Sequence, residues 1–194
     1  AALLAAIMLI TAVHAVQQHF APLLTERGVS LAAAGSLLSL LAFAGVFGTL
    51  SVGTLNDRAG TRTAVLFALG AQFTSMGLFL VASGYLPLAA GITVFALGSS
   101  LPLVLVPILV MVLFGPRDYA AILGPAMAAG PVGIAIGTPL WGLAVDVTGS
   151  YDAGLWVAIG ATVAAAALLV WALHSAPAFR ERVARELDPG DATA

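Results

Sequence analysis

Six continuous apolar runs, at about 2–24, 31–53, 63–82, 88–114, 120–145 and 153–174, make up most of the chain. Short polar breaks separate them: Thr25–Ser30, Thr54–Arg62, Ser83–Pro87, Gly115–Tyr119 and Asp146–Asp152. Each run has about the 20 residues that a helix needs to cross a hydrocarbon core roughly 30 Å thick. Backbone polar groups in lipid must be paired within the segment, so each run predicts a helix. Barrel strands would alternate over about ten residues, and these runs are continuous. The expected fold is an all-α membrane protein with six transmembrane helices.

Composition supports a lipid bilayer as the surroundings. The 194 residues are 61% hydrophobic and 8% charged, with a mean hydropathy of +1.07. Soluble domains carry about 25% charged residues, so this chain cannot cover a globule with polar surface. A net charge of −2 predicts no nucleic-acid partner, since that work needs clustered basic residues. With no lysine, a phosphate-binding G-x-x-x-x-G-K-[ST] loop is impossible. No carboxylate falls within a run, and the chain has no cysteine. Neither an acid pair nor a thiolate or carboxylate metal site is available, and no metal, cofactor or enzyme activity is expected. Val81-Ala82-Ser83-Gly84 lacks the first glycine of an intramembrane serine protease motif. The chain starts on an apolar run with no methionine, basic flank or cleavage signal, which reads as a fragment.

The arginines orient the spans. Six of seven fall on one side if the breaks alternate: Arg58, Arg62, Arg117, Arg180, Arg182 and Arg185, with Arg27 opposite. Basic residues favour the cytoplasm, so both ends and the Thr54–Arg62 break are expected to be cytoplasmic, in a plasma or inner membrane. Beyond His174 the tail (175–194) is expected to leave the membrane. Phe179, Val183 and Leu187 lie four apart there, giving either a surface helix or a solvated end.

Gly53-Thr54-Leu55-Asn56-Asp57-Arg58-Ala59-Gly60-Thr61-Arg62 is a charged island between two apolar runs. Shifting the chain by 89 positions places Gly48-Thr49, Gly53, Asp57 and Gly60 on Gly137-Thr138, Gly142, Asp146 and Gly149. The shared pattern, G-T-x3-G-x3-D-x2-G, closes the second and the fifth run, on opposite sides of the membrane. That is the relation expected of an inverted repeat, with units at 1–87 and 88–174.

The Gly53–Arg62 segment resembles the characteristic loop of the major facilitator superfamily, G-x-x-x-D-[RK]-x-G-[RK]-[RK]. Gly53, Asp57, Arg58, Gly60 and Arg62 match, and Thr61 replaces a basic residue. Six spans with both ends inside look like half of that twelve-helix fold. Phe114–Tyr119 and Gly142–Tyr151 look like its carboxyl-terminal half, particularly in the monocarboxylate and oxalate–formate branches. The resemblance implies two inverted three-helix repeats and a missing amino-terminal six-helix half as partner. It also implies that the loop latches the halves together, whereas a plain positive-inside loop would fix only topology. Here Gly53 would let the second helix approach a neighbour closely. Asp57, just past that helix end, would meet helix N-terminal amides.

Polar residues within runs mark a candidate path. Thr11, His14 and Gln18 share one stripe of the first helix, with Gln17 beside them. His14 is the one deep titratable group; it could bind substrate, relay protons, or simply hydrogen-bond a neighbouring helix. His19 is about 140° around the helix from His14, which argues against a metal pair. The fourth run carries Ser99, Ser100, Pro102 and Pro107, and the fifth Pro125, Pro131 and Pro139, with kinking or bending expected at the prolines. Gly133 and Gly137 read as close packing. The expected function is a secondary active transporter, by symport or antiport, moving a small solute by alternating access. The alternative is a six-helix scaffold that transports nothing. An organic anion as substrate would need a cation from the missing half, because no arginine or lysine lies within a run.

Overall fold

A computed structural model describes the backbone of residues 1–186 and the side chains of residues 1–175. Six membrane-length helices follow one another: α1 (Ala2–Glu26), α2 (Leu31–Ala59), α3 (Thr61–Val81), α4 (Tyr85–Phe114), α5 (Tyr119–Thr148) and α6 (Asp152–Glu186). Phe179, Val183 and Leu187, where a surface helix or a solvated end was expected, lie outside the residues whose side chains are described.

The helices overrun the apolar runs. The break expected at Thr54–Arg62 shrinks to Gly60: Asp57 and Arg58 occupy the last turn of α2, and Arg62 the first turn of α3. Asp57 therefore does not lie past the helix end. Polar residues are compatible with a helix that has reached the interface, so the helix stops where the backbone turns. Gly60 turns it, with φ 83° and ψ 162°, a region open almost only to glycine. Likewise α5 continues through Asp146 to Thr148 and ends at Gly149, left-handed at φ 75°.

Two interruptions occur inside spans. In α1 a 3-10 segment, Ala15–His19, separates Ala2–His14 from Phe20–Glu26. In α4 a π segment, Leu101–Leu105, separates Tyr85–Gly98 from Val106–Phe114. Pro102 lies in the second of these. The first carries no proline or glycine and was not expected. In the fifth helix the prolines bring no break: α5 stays helical through Pro125, Pro131 and Pro139. Each proline costs one backbone bond, and a bend at such a site does not require a break.

Packing pairs α1 with α5 and α6, α4 with α2 and α3, and α3 with α6. These partnerships are preserved if α1, α2 and α3 are exchanged for α4, α5 and α6. Two apolar cores result. One, around Leu3, Ile7, Leu69, Leu105, Leu109 and Leu169, lies toward Arg58, Arg62 and Arg117. The other, around Phe20, Leu23, Phe79, Phe95 and Leu155, lies toward Arg27. Between them runs a level of buried polar side chains: Thr11 and His14 on α1, Gln72 on α3, Ser100 on α4 and Thr162 on α6.

Candidate functional site

At that level a cavity of about 300 Å³ opens among α1, α4 and α5. Its walls carry Thr11, His14, Gln17, Gln18 and Ser99 among apolar side chains that include Leu103, Met127 and Ile134. Both helix interruptions border it, through Ala15, Gln17 and Gln18 on one side and Pro102 and Leu103 on the other. The 3-10 segment tightens the chain to about three residues per turn, which stacks Gln17 over His14 and brings it onto the same wall. Regular helical spacing had placed only Thr11, His14 and Gln18 in line. Ser100, expected beside Ser99, is buried outside this wall, with its hydroxyl directed to the Leu97 carbonyl at 3.4 Å.

Hydrogen bonds hold the wall in place. Thr11 Oγ1 donates to the Ile7 carbonyl at 2.8 Å, and Ser99 Oγ to the Ala96 carbonyl at 2.9 Å. His14 Nδ1 lies 2.8 Å from the Ile10 carbonyl, while Nε2 is buried without a partner. A carbonyl can only accept, so this bond assigns a proton to Nδ1. The ring stands edge-on to Phe95, centroids 5.5 Å apart. The cavity thus offers neutral hydrogen bonding and no charged side chain. Among the described residues no group of three His, Cys, Asp or Glu could hold a metal. A groove of about 460 Å³ between α1, α5 and α6 is larger but almost wholly apolar, and carries no comparable chemistry.

The residues of the charged segment sit apart from the cavity, at the α2–α3 junction. Asp57, Arg58 and Arg62 are exposed and form no ion pair within the described chain. Asp57 Oδ1 accepts from Asn56 Nδ2 at 3.3 Å, and Thr61 Oγ1 donates to Asn56 Oδ1 at 2.9 Å. Asn56, not Asp57, therefore bridges the two helix ends. Sequence reading passed over it, although an amide four residues before a turn glycine is a usable signal. Gly53 does not mark a close approach either, because a Cβ there would meet nothing within 4 Å. The close approach is at Gly48, where a Cβ would meet the Ala96 carbonyl oxygen at 2.5 Å. Its counterpart Gly137 lies equally tightly on Ala12.

A family model described as Major Facilitator Superfamily matches residues 2–190. This chain belongs to the major facilitator superfamily. No curated protein matches it significantly. Membership makes it a multi-pass membrane protein of a transporter family, and six helices forming half of the family's fold agree with that. The match identifies the superfamily and does not reach the monocarboxylate or oxalate–formate branch.

On the face of this facilitator carrying Arg27, several contacts join the helix ends. Arg27 Nη2 pairs with Asp152 Oδ1, Nη1 donates to the Leu80 carbonyl at 3.3 Å, and the Arg27 carbonyl accepts from Gly84 N at 3.0 Å. His19 lies beside the second copy of the shared pattern, in α5. Its Nε2 is 3.1 Å from the Thr138 carbonyl, and its Nδ1 is 3.3 Å from Tyr151 Oη. Gly142 is near it, with a would-be Cβ 3.9 Å from His19 Cε1, while Asp146 is exposed. Burial first, then the carboxylates of Glu26 and Asp146, pushes the Tyr151 phenol above its ordinary 10.0.

Proposed function

We propose that this chain moves a small solute by alternating access, with the Thr11–His14–Gln17–Gln18–Ser99 wall as part of the solute path. The observation that carries this reading is that two helix interruptions, one in each three-helix unit, border one polar-walled cavity at mid-depth. Discontinuous helices at matching places in two repeats are the usual pointer to a transporter's binding site. The exchange of packing partners between α1–α3 and α4–α6 supports units at 1–87 and 88–174.

The arginine asymmetry favours a cytoplasmic face at Arg58, Arg62 and Arg117, in a plasma or inner membrane. Gly53, Asp57, Arg58, Gly60 and Arg62 act as a latch at that face. Among the described residues their charges have no ion partner, which suits closure against a separate amino-terminal six-helix half. The end of α5 with Gly142, Asp146 and Gly149 is the repeat-related element on the other face.

The chain has no cysteine, so a single one reports cleanly. Met127→Cys in the full chain, in native membranes, should react with a water-soluble maleimide from one face at a time. The reactive face should change when Asp57→Ala is added. A Met127→Cys that no reagent reaches from either face would leave the scaffold reading in place.

A further inference from the structure

We infer that the cavity selects small, uncharged, hydroxyl-rich solutes and discriminates against carboxylates. The inference rests on the path proposed above and adds the chemical class of its cargo. The count of free donors and acceptors on the wall carries it. Thr11 and Ser99 have already spent their single hydroxyl protons on the Ile7 and Ala96 carbonyls, so neither has a donor left for a solute. His14 has spent its Nδ1 proton on Ile10, which leaves Nε2 of the neutral ring an acceptor. That acceptor is buried and unpaired, a state that costs free energy until a donor arrives. Pro131 has no N–H, so the Met127 carbonyl lacks its donor four residues on, and both residues line the cavity. Only the amides of Gln17 and Gln18 supply free donors, and each brings an acceptor with it.

A solute bearing several O–H donors satisfies this wall. A carboxylate, which only accepts, faces a surplus of lone pairs and no lining Lys or Arg. Burying it here would leave an ion without a counter-charge. A bare ammonium brings donors but meets no lining Asp or Glu, so the same objection applies to it. The volume of about 300 Å³ lies at the low end for ligand pockets, and the apolar part of the wall suits the C–H faces of a compact polyol.

The test uses Met127→Cys in the full chain in membranes, labelled by a water-soluble maleimide in the presence of three kinds of probe. These are neutral polyols (erythritol, xylitol, inositol), short monocarboxylates (acetate, lactate) and small ammonium ions (ethanolamine, choline). At least one polyol should slow labelling, by about tenfold at a concentration near ten times its dissociation constant. Neither charged class should do so, and His14→Phe should remove the protection while leaving the cysteine reactive. Labelling that proceeds but is slowed by a carboxylate or an ammonium ion, or by no probe, overturns the cargo class and leaves the path standing. A cysteine that never labels sinks the path itself, and the cargo class with it.

Discussion

Gly137 of α5 lies directly on the backbone of Ala12 of α1, where a Cβ would fall 2.6 Å from the Ala12 Cα. One turn on, Trp141 Nε1 donates to the Ala12 carbonyl at 3.2 Å, and Gly133 meets Met8 and Thr11 one turn before. The α1–α5 seam thus depends on the absence of side chains at two positions. The same contact type joins α2 to α4 at Gly48. In lipid, where apolar contact between helices gains little over contact with tails, such close approach is a main source of association.

Gly137→Ala should lower stability by about 1–3 kcal/mol, the usual cost of overpacking a tight contact. Gly48→Ala should behave alike, and Gly53→Ala should leave packing unchanged. Thermal unfolding of the purified chain in detergent distinguishes them. Equal effects at Gly48 and Gly53 would contradict the assignment of the close approach to Gly48.

Gly60→Ala should cost about 1–3 kcal/mol, because φ 83° with ψ 162° is strained for any residue with a Cβ. Gly149 sits in the left-handed helical region, which asparagine tolerates. Gly149→Asn should therefore be nearly neutral, and Gly60→Asn should not. Melting curves of the three variants check the difference.

Asp57→Ala should abolish transport by the intact protein while its amount in the membrane stays normal, if the charge closes the latch. Asn56→Ala should instead loosen the α2–α3 junction and lower stability by about 1 kcal/mol, the worth of a typical hydrogen bond. Normal transport with Asp57→Ala would sink the latch.

Arg27 and Asp152 should show a coupling of under about 1 kcal/mol in a double-mutant cycle with Arg27→Gln and Asp152→Asn, because half of the Asp152 side chain is in contact with solvent. The coupling should shrink as salt rises. Arg27→Gln alone should cost more, since it also removes the bond to Leu80.

Alkaline pH should weaken the Arg27 face. The Tyr151 phenol ionises less readily folded than unfolded, for burial and two carboxylates disfavour the phenolate. Its contribution is therefore complete below the unfolded value of 10.0 and is lost as pH rises toward the folded value. Tyr151→Phe should be less stable at neutral pH, having lost the bond to His19, and should show a flatter decline above pH 10. Unfolding midpoints measured across that window decide it.

Much of the fold was legible in the order of residues. Six spans follow from uninterrupted apolar runs because lipid leaves unpaired backbone groups no partner, and the charged island disclosed the family. Helix ends were less legible, since Asp57, Arg58 and Asp146 lower hydropathy without stopping a helix. Only the backbone demand at Gly60 and Gly149 stops it. Thr11, His14, Gln17, Gln18 and Ser99 stood out as polar residues in apolar runs, yet nothing in their order placed Ser99 on the wall and Ser100 off it. A helix that is apolar all round has little periodicity to say which face looks inward.

By itself, then, the sequence determined the number of spans, their sidedness as an expectation, and the positions where polar groups would be costly in lipid. Tertiary structure decided where those groups are buried. It joined Thr11, His14, Gln72, Ser100 and Thr162 into one level between two apolar cores. It also tightened α1 at Ala15–His19 with no local signal, and seated Gly137 on Ala12. Each outcome depends on what lies across a helix interface, and contacts between residues more than a hundred positions apart cannot be read from the neighbours of either one.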